Sequence, residues 1–130
     1  MSANSIVDCE LPGPASRPVT AAPAGTTDTH FHIFGPTDRY PLAPGRLYNP
    51  GYSPVTEYRK MARTVGIDRT VIVQASVYGT DNRCLVDAIA EFGIDTCRGI
   101  AVVEPSIRPE QLQELHEQGV RGIRFNAITG

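Results

Sequence analysis

Thr70-Val71-Ile72-Val73-Gln74-Ala75 is β-branched or apolar on both faces, the pattern of a strand buried in a parallel sheet with helices packed against it. Helical patterns stand on either side. Upstream, Ser53-Pro54 reads as an N-cap followed by proline at the first helical position, and Val55, Tyr58, Met61, Ala62 and Val65 recur at helical spacing until Gly66. Downstream, Thr80 or Asp81 can cap a helix in which Leu85, Ala88, Ile89 and Phe92 form an i, i+3, i+4, i+7 stripe before Gly93. The alternation continues with a strand over 98–103, a helix opened by Pro109 with Leu112 and Leu115 on one face, a stop at Gly119 and a strand over 120–126. An earlier strand at about 25–33 completes the order βαβαβαβ.

Alternation without consecutive strands predicts a parallel α/β sheet with right-handed crossovers. Neither GxGxxG nor GxxxxGK[ST] occurs, which removes the phosphate turns of nucleotide-binding folds. The chemistry-bearing residues sit at strand ends instead, so the expected class is a (β/α)8 TIM-barrel type. The 130 residues supply about four β/α units, a half barrel, against ~250 residues in a complete one. Residues 1–24, with Pro12, Pro14, Pro18 and Pro23, read as a proline-rich N-terminal arm laid over a surface or left mobile. Residues 25–130 then form the half barrel, which reads as truncated. The connection 35–53 carries Tyr40, Arg46, Tyr48 and Tyr52 among four prolines, a content that favours a lid or pocket wall over a slack linker.

A formal net charge of −2 provides no basic stripe for nucleic acid or an acidic membrane surface, and a small soluble substrate is the expected partner. No segment approaches ~18 consecutive apolar residues, and the start lacks a basic then apolar run, so neither membrane spanning nor secretion is expected. Cys9, Cys84 and Cys97 are odd in number and without a CxxC, which reads as reduced thiols in a cytoplasmic protein.

The chemistry centres on Asp28-Thr29-His30-Phe31-His32-Ile33-Phe34. In a regular strand His30 and His32 point to one face, with Asp28 on the same face as a carboxylate able to hold an imidazole tautomer. A catalytic zinc usually has three protein ligands, and the plain alternative is a hydrogen-bonded histidine pair packed at a strand end. His116, the only other histidine, falls on a helix and reads as a surface residue. Arg124 near the end of the last strand can grip a carboxylate bidentately; the alternative is an ion pair with Glu104. Ser76 and Tyr78 follow the second strand and can donate hydrogen bonds to a substrate, or serve the turn alone.

Four blocks together, 28–36, Val73-Gln74-Ala75-Ser76 with 79–82, 98–103 and 121–126, resemble the amidohydrolase superfamily. Within it the chain is most similar to the 2-pyrone-4,6-dicarboxylate lactonase group of TIM-barrel metal-dependent hydrolases. The resemblance implies that His30 and His32 are the paired histidines of the first barrel strand, catalytic and able to bind a divalent metal such as zinc or manganese. It also implies a metal-free route, since the lactonase group need not use metal. Tyr48, Ser76 and Arg124 match substrate-binding positions, with Arg124 holding a carboxylate. The family's further histidine and its aspartate base lie on later strands. A second pocket arginine expected after the fourth strand is replaced by Asn126-Ala127-Ile128-Thr129-Gly130, which leaves a sugar lactone or another cyclic ester open.

The implied activity is opening of a carboxylated or sugar-derived lactone by water attack on the carbonyl. The alternatives are a non-catalytic half barrel that self-associates through exposed sheet edges or binds a partner, and a metal-dependent decarboxylase or amide hydrolase of the same superfamily.

Overall fold

The computed structural model describes residues 6–126. The elements run β1 (Val7–Asp8), β2 (Thr27–Phe31), β3 (Tyr48–Asn49), α1 (Val55–Val65), β4 (Arg69–Val73), a 3-10 turn (Ser76–Tyr78), α2 (Arg83–Phe92), β5 (Cys97–Ala101), α3 (Pro109–Glu117) and β6 (Val120–Ile123). The main sheet has the order β2-β4-β5-β6, parallel throughout, with one helix in each crossover. This is the expected α/β alternation, four strands of a (β/α)8 barrel.

One face of the sheet meets the helices. Ile72 of β4, Cys97 and Ala101 of β5 and Val120 of β6 form the core with Val55, Tyr58 and Ala62 of α1 and Leu85, Ala88 and Ile89 of α2. Gly99 lets α2 close onto β5, since a Cβ there would lie 2.6 Å from Ile89 Cδ1. Gly66 ends α1 in the left-handed region at φ +87, its N–H bonded to Ala62 O at 2.8 Å. The third helix differs: α3 contributes no buried residue, and Leu112 is exposed.

Two helix starts depart from the sequence reading. Pro54 occupies the N-cap of α1, because Ser53 is drawn into a reciprocal backbone pair with Phe34, each N–H 3.0 Å from the other's carbonyl. Asn82, rather than Thr80 or Asp81, occupies the N-cap of α2. Its side chain clamps the backbone of Val102, donating to the carbonyl at 2.8 Å and accepting from the N–H at 3.1 Å, and so ties the end of β5 to the start of α2.

The connection 35–53 is a pinned wall. Tyr40 is buried and donates to Asp87 Oδ2 at 2.7 Å, beside Arg39 on the same oxygen at 2.7 Å. Ala43 N–H reaches Val77 O at 2.7 Å, and Gly35 N–H reaches Tyr78 Oη at 3.1 Å. The described part of the arm rests on this wall: β1 pairs in parallel with β3, and Leu11 lies against Gly51. Among the described residues no helix is long and apolar enough to cross a membrane.

Candidate active site

The strands stop sooner than their sequence patterns: β2 at Phe31, β4 at Val73 and β6 at Ile123. His32, Gln74 and Arg124 therefore stand just past the carboxyl ends, where active sites of parallel barrels are built.

Within β2 the register slips. Asp28 pairs with Thr70 and Phe31 with Ile72, so Thr29 and His30 together oppose the single residue Val71. Such a two-for-one step is a β-bulge, a device that re-aims side chains. Asp28 and Phe31 consequently both turn toward the helices: Asp28 Oδ2 accepts the Tyr58 hydroxyl at 2.8 Å, and the Phe31 ring stacks on Tyr58 with centroids 3.7 Å apart. His30 and His32, on either side of Phe31, turn to the opposite face of the sheet, their rings 5.4 Å apart. The expectation that Asp28 shares their face and holds an imidazole is overturned, because the extra residue breaks the period of two. Asp28 Oδ1 instead accepts the backbone N–H of His30 at 3.0 Å.

His32 Nδ1 lies 2.8 Å from Val73 O. A carbonyl can only accept, so Nδ1 carries the proton and Nε2 presents a lone pair. Burial holds His32 below its ordinary value; the Val73 bond opposes this, while the charges of His30 and Arg124 add to it. The ring is a neutral acceptor.

Arg124 is fastened from β6: its N–H bonds Ala101 O at 2.8 Å, and Nη1 reaches Gln74 O at 3.0 Å. His32 and Arg124 thus hang from the carbonyls of consecutive residues at the end of β4. Glu104 makes no ion pair with Arg124; it accepts Thr80 Oγ1 at 3.3 Å. Among the described residues the guanidinium faces no carboxylate partner. Ser76 shares with Arg124 a cleft of about 300 Å³, completed by Thr80, Glu104, Phe125 and Asn126.

The other expected residues have their own settings. Tyr48 lies in β3, half-buried against the core, with no hydrogen bond or ring contact to the histidines, Ser76 or Arg124. Tyr78 is buried and its hydroxyl serves the Gly35 N–H, so it does not face a substrate. His116 is exposed on α3. Residues 127–130, where the sequence lacks a second arginine, lie outside the described residues. The pairing of Tyr58 with Asp28 is not legible in the sequence: the helical stripe identifies Tyr58 only as core, and its hydroxyl is the one signal that a polar partner is needed.

The donor set fits a divalent metal in part. His32 has the tautomer a ligand requires and His30 lies beside it, but among the described residues no group of three histidine, cysteine or carboxylate side chains could hold a metal. His30 and His32 alone fall short of the three protein ligands usual for a catalytic zinc.

A family model described as Amidohydrolase matches residues 27–130. The chain belongs to the amidohydrolase family. It is similar to a 2-pyrone-4,6-dicarboxylate hydrolase of Comamonas testosteroni, 42% identical over 113 residues, which are 87% of this chain and 37% of that protein. It is also similar to a 4-sulfomuconolactone hydrolase of Hydrogenophaga intermedia, 40% identical over 103 residues, 79% of this chain and 34% of that one. Among solved amidohydrolase structures, a probable 2-pyrone-4,6-dicarboxylic acid hydrolase from Acinetobacter baumannii with citric acid bound superposes with a TM-score of 0.72 at 30% identity, covering 78% of this chain and 38% of the other. The chain spans little more than a third of the length of these relatives.

Proposed function

We propose that this chain carries the first half of a lactone-opening site, in which Arg124 binds a substrate carboxylate and the histidine pair faces the scissile carbonyl. The observation that carries the reading is the fastening of His32 and Arg124 to the consecutive carbonyls of Val73 and Gln74. A guanidinium with no carboxylate partner among the described residues, standing near the histidine pair, suits an anionic cyclic ester. The relatives named for lactones and pyrone dicarboxylates support the same class, carboxylated or sugar-derived.

The protonation states divide the work. Neutral His32 presents only a lone pair at Nε2, so it accepts a proton or ligates a cation and cannot donate to the carbonyl. Donation to the developing oxyanion falls to His30, and Ser76 can hold a second substrate oxygen. If a divalent metal is used, His30 and His32 hold it, and it supplies carbonyl polarisation and a bound water whose pKa falls to about 7. Among the described residues no carboxylate is hydrogen-bonded to either imidazole: Asp28 is committed to Tyr58, and Glu104 to Thr80. Among the described residues the lone pair of His32 Nε2 is therefore the acceptor assigned to take the proton of the attacking water.

The test is titration of the chain with carboxylated lactones, followed by histidine and arginine NMR shifts and by ring-opening assays with and without zinc or manganese. Saturable shifts at His30, His32 and Arg124, with any turnover abolished in His30→Ala, are expected. No shift and no turnover with any lactone contradict the reading. Release of carbon dioxide or ammonia would instead favour a decarboxylase or amide hydrolase.

A second reading is self-association. Strands β2 and β6 are open edges of the sheet, and Phe125 beyond β6 is 86% exposed. Light scattering showing a dimer or larger species supports it; a monodisperse monomer contradicts it. We also propose a reducing, cytoplasmic setting. Cys9, Cys84 and Cys97 are all free, and burial pushes the Cys84 and Cys97 thiols up, as in inert core residues.

A further inference from the structure

Beneath the histidine pair two polar groups meet in the helix layer. A bulge leaves backbone groups outside the strand ladder, and here the amide N–H of His30 is taken up by Asp28 Oδ1 at 3.0 Å. The second carboxylate oxygen of Asp28 is held by the Tyr58 hydroxyl at 2.8 Å. Tyr58 is itself fixed, 7% exposed, stacked at 3.7 Å on Phe31 and edge-on to Phe92 at 5.7 Å. A single side chain of α1 therefore grips both ends of the bulge: its hydroxyl holds Asp28 and its ring face holds Phe31.

We infer that Asp28 and Tyr58 are positioning residues that latch the bulge in β2 and thereby aim both imidazoles at the face of Arg124. Without the latch, β2 can return to regular pairing. A one-residue slip in a strand sends its side chains to the opposite face, so both histidines turn together and the His32 ring leaves the Val73 carbonyl at the end of β4. This inference rests on His30 and His32 being the working pair of the site, but the geometry it predicts is measurable without turnover.

The chemistry of residue 28 supplies the discriminating variants. Asparagine keeps an oxygen for the His30 N–H and an amide for Tyr58, whose hydroxyl can accept as well as donate; alanine keeps neither. Nitrogen-labelled histidine in the full chain reports the Nδ1-protonated tautomer of His32, and proton cross-relaxation reports the contact of the His32 ring with Val73. Wild type and Asp28→Asn are expected to show both signatures. Asp28→Ala is expected to lose the contact of His32 with Val73 and to show mixed His32 tautomers. Tyr58→Phe, which keeps the stack and loses the donor, should weaken the contact.

Retention of both signatures in Asp28→Ala, with only the thermal midpoint lowered, would overturn the inference, as would failure of Asp28→Asn to preserve them. If Asp28→Ala does not fold, Tyr58→Phe decides: a weakened contact supports the latch and an unchanged one refutes it. If the signatures behave as expected while lactones fail to bind, the latch stands and the lactone reading falls.

Discussion

His32 is the residue whose state is most fully determined by its surroundings. Its proton is directed to Val73, and burial, more than its charged neighbours, disfavours the imidazolium. Because its folded value lies below the ordinary 6.5, the unfolded chain takes up a proton first as the pH falls. The contribution to stability is whole above 6.5 and is lost as the pH drops through the folded value. Thermal unfolding across mildly acidic buffers should show this slope in wild type and a shallower one in His32→Asn.

Gly35 is a second residue with a sharp consequence. A Cβ there would sit 2.4 Å from the Tyr40 ring, so Gly35→Ala is expected to cost about 1–3 kcal/mol as an overpacked contact, read from denaturant unfolding. At this scale the placing of the paired histidines and Arg124 at strand ends is legible in the sequence, because the apolar patterns that mark the strands run out there. The direction of Asp28 is not. Strict alternation assigns it to the histidine face, and only the pairing of Phe31 with Ile72 reveals the additional residue.

At the scale of elements, the long proline-rich connection behaves as a wall because Tyr40 and Asp87 join it to α2. Burial first, and then the Asp87 carboxylate, push the Tyr40 phenol from 10.0 up to about 12. Between those values the folded chain keeps a proton that the unfolded chain has lost, so this contribution is complete below pH 10 and disappears as the pH rises through about 12. Ultraviolet titration should detect three late-ionising tyrosines, Tyr40, Tyr58 and Tyr78, and Asp87→Asn should bring Tyr40 alone part-way back toward 10.0. An unchanged value in that variant would show that Asp87 contributes nothing to the hold.

The alternating elements could be read because each helix carries its own apolar stripe and stop signal. The strand limits and caps could not. Ser53, Asn82 and Arg124 are committed to backbone partners brought near by the fold: Ser53 to Phe34, Asn82 to Val102, and Arg124 to Gln74. Local propensity has no access to partners so distant in the chain.

For the whole molecule, four parallel strands with helices on one face place the histidine end of β2 and the arginine end of β6 on the same rim, with the end of β4 as their shared anchor. We propose that His30, His32 and Arg124 form one anion-directed site on that rim, although they are separated along the chain by more than three secondary-structure elements. Its most direct test is NMR titration of the chain with a carboxylated lactone, comparing wild type with Arg124→Gln. The ligand is expected to move the His30 and His32 ring resonances together with the Arg124 side-chain signals, and Arg124→Gln to weaken binding by about 10- to 100-fold, in line with loss of a charge-assisted hydrogen bond worth roughly 1.5–3 kcal/mol. Equal affinity in Arg124→Gln, or ligand shifts that bypass both imidazoles, would contradict it.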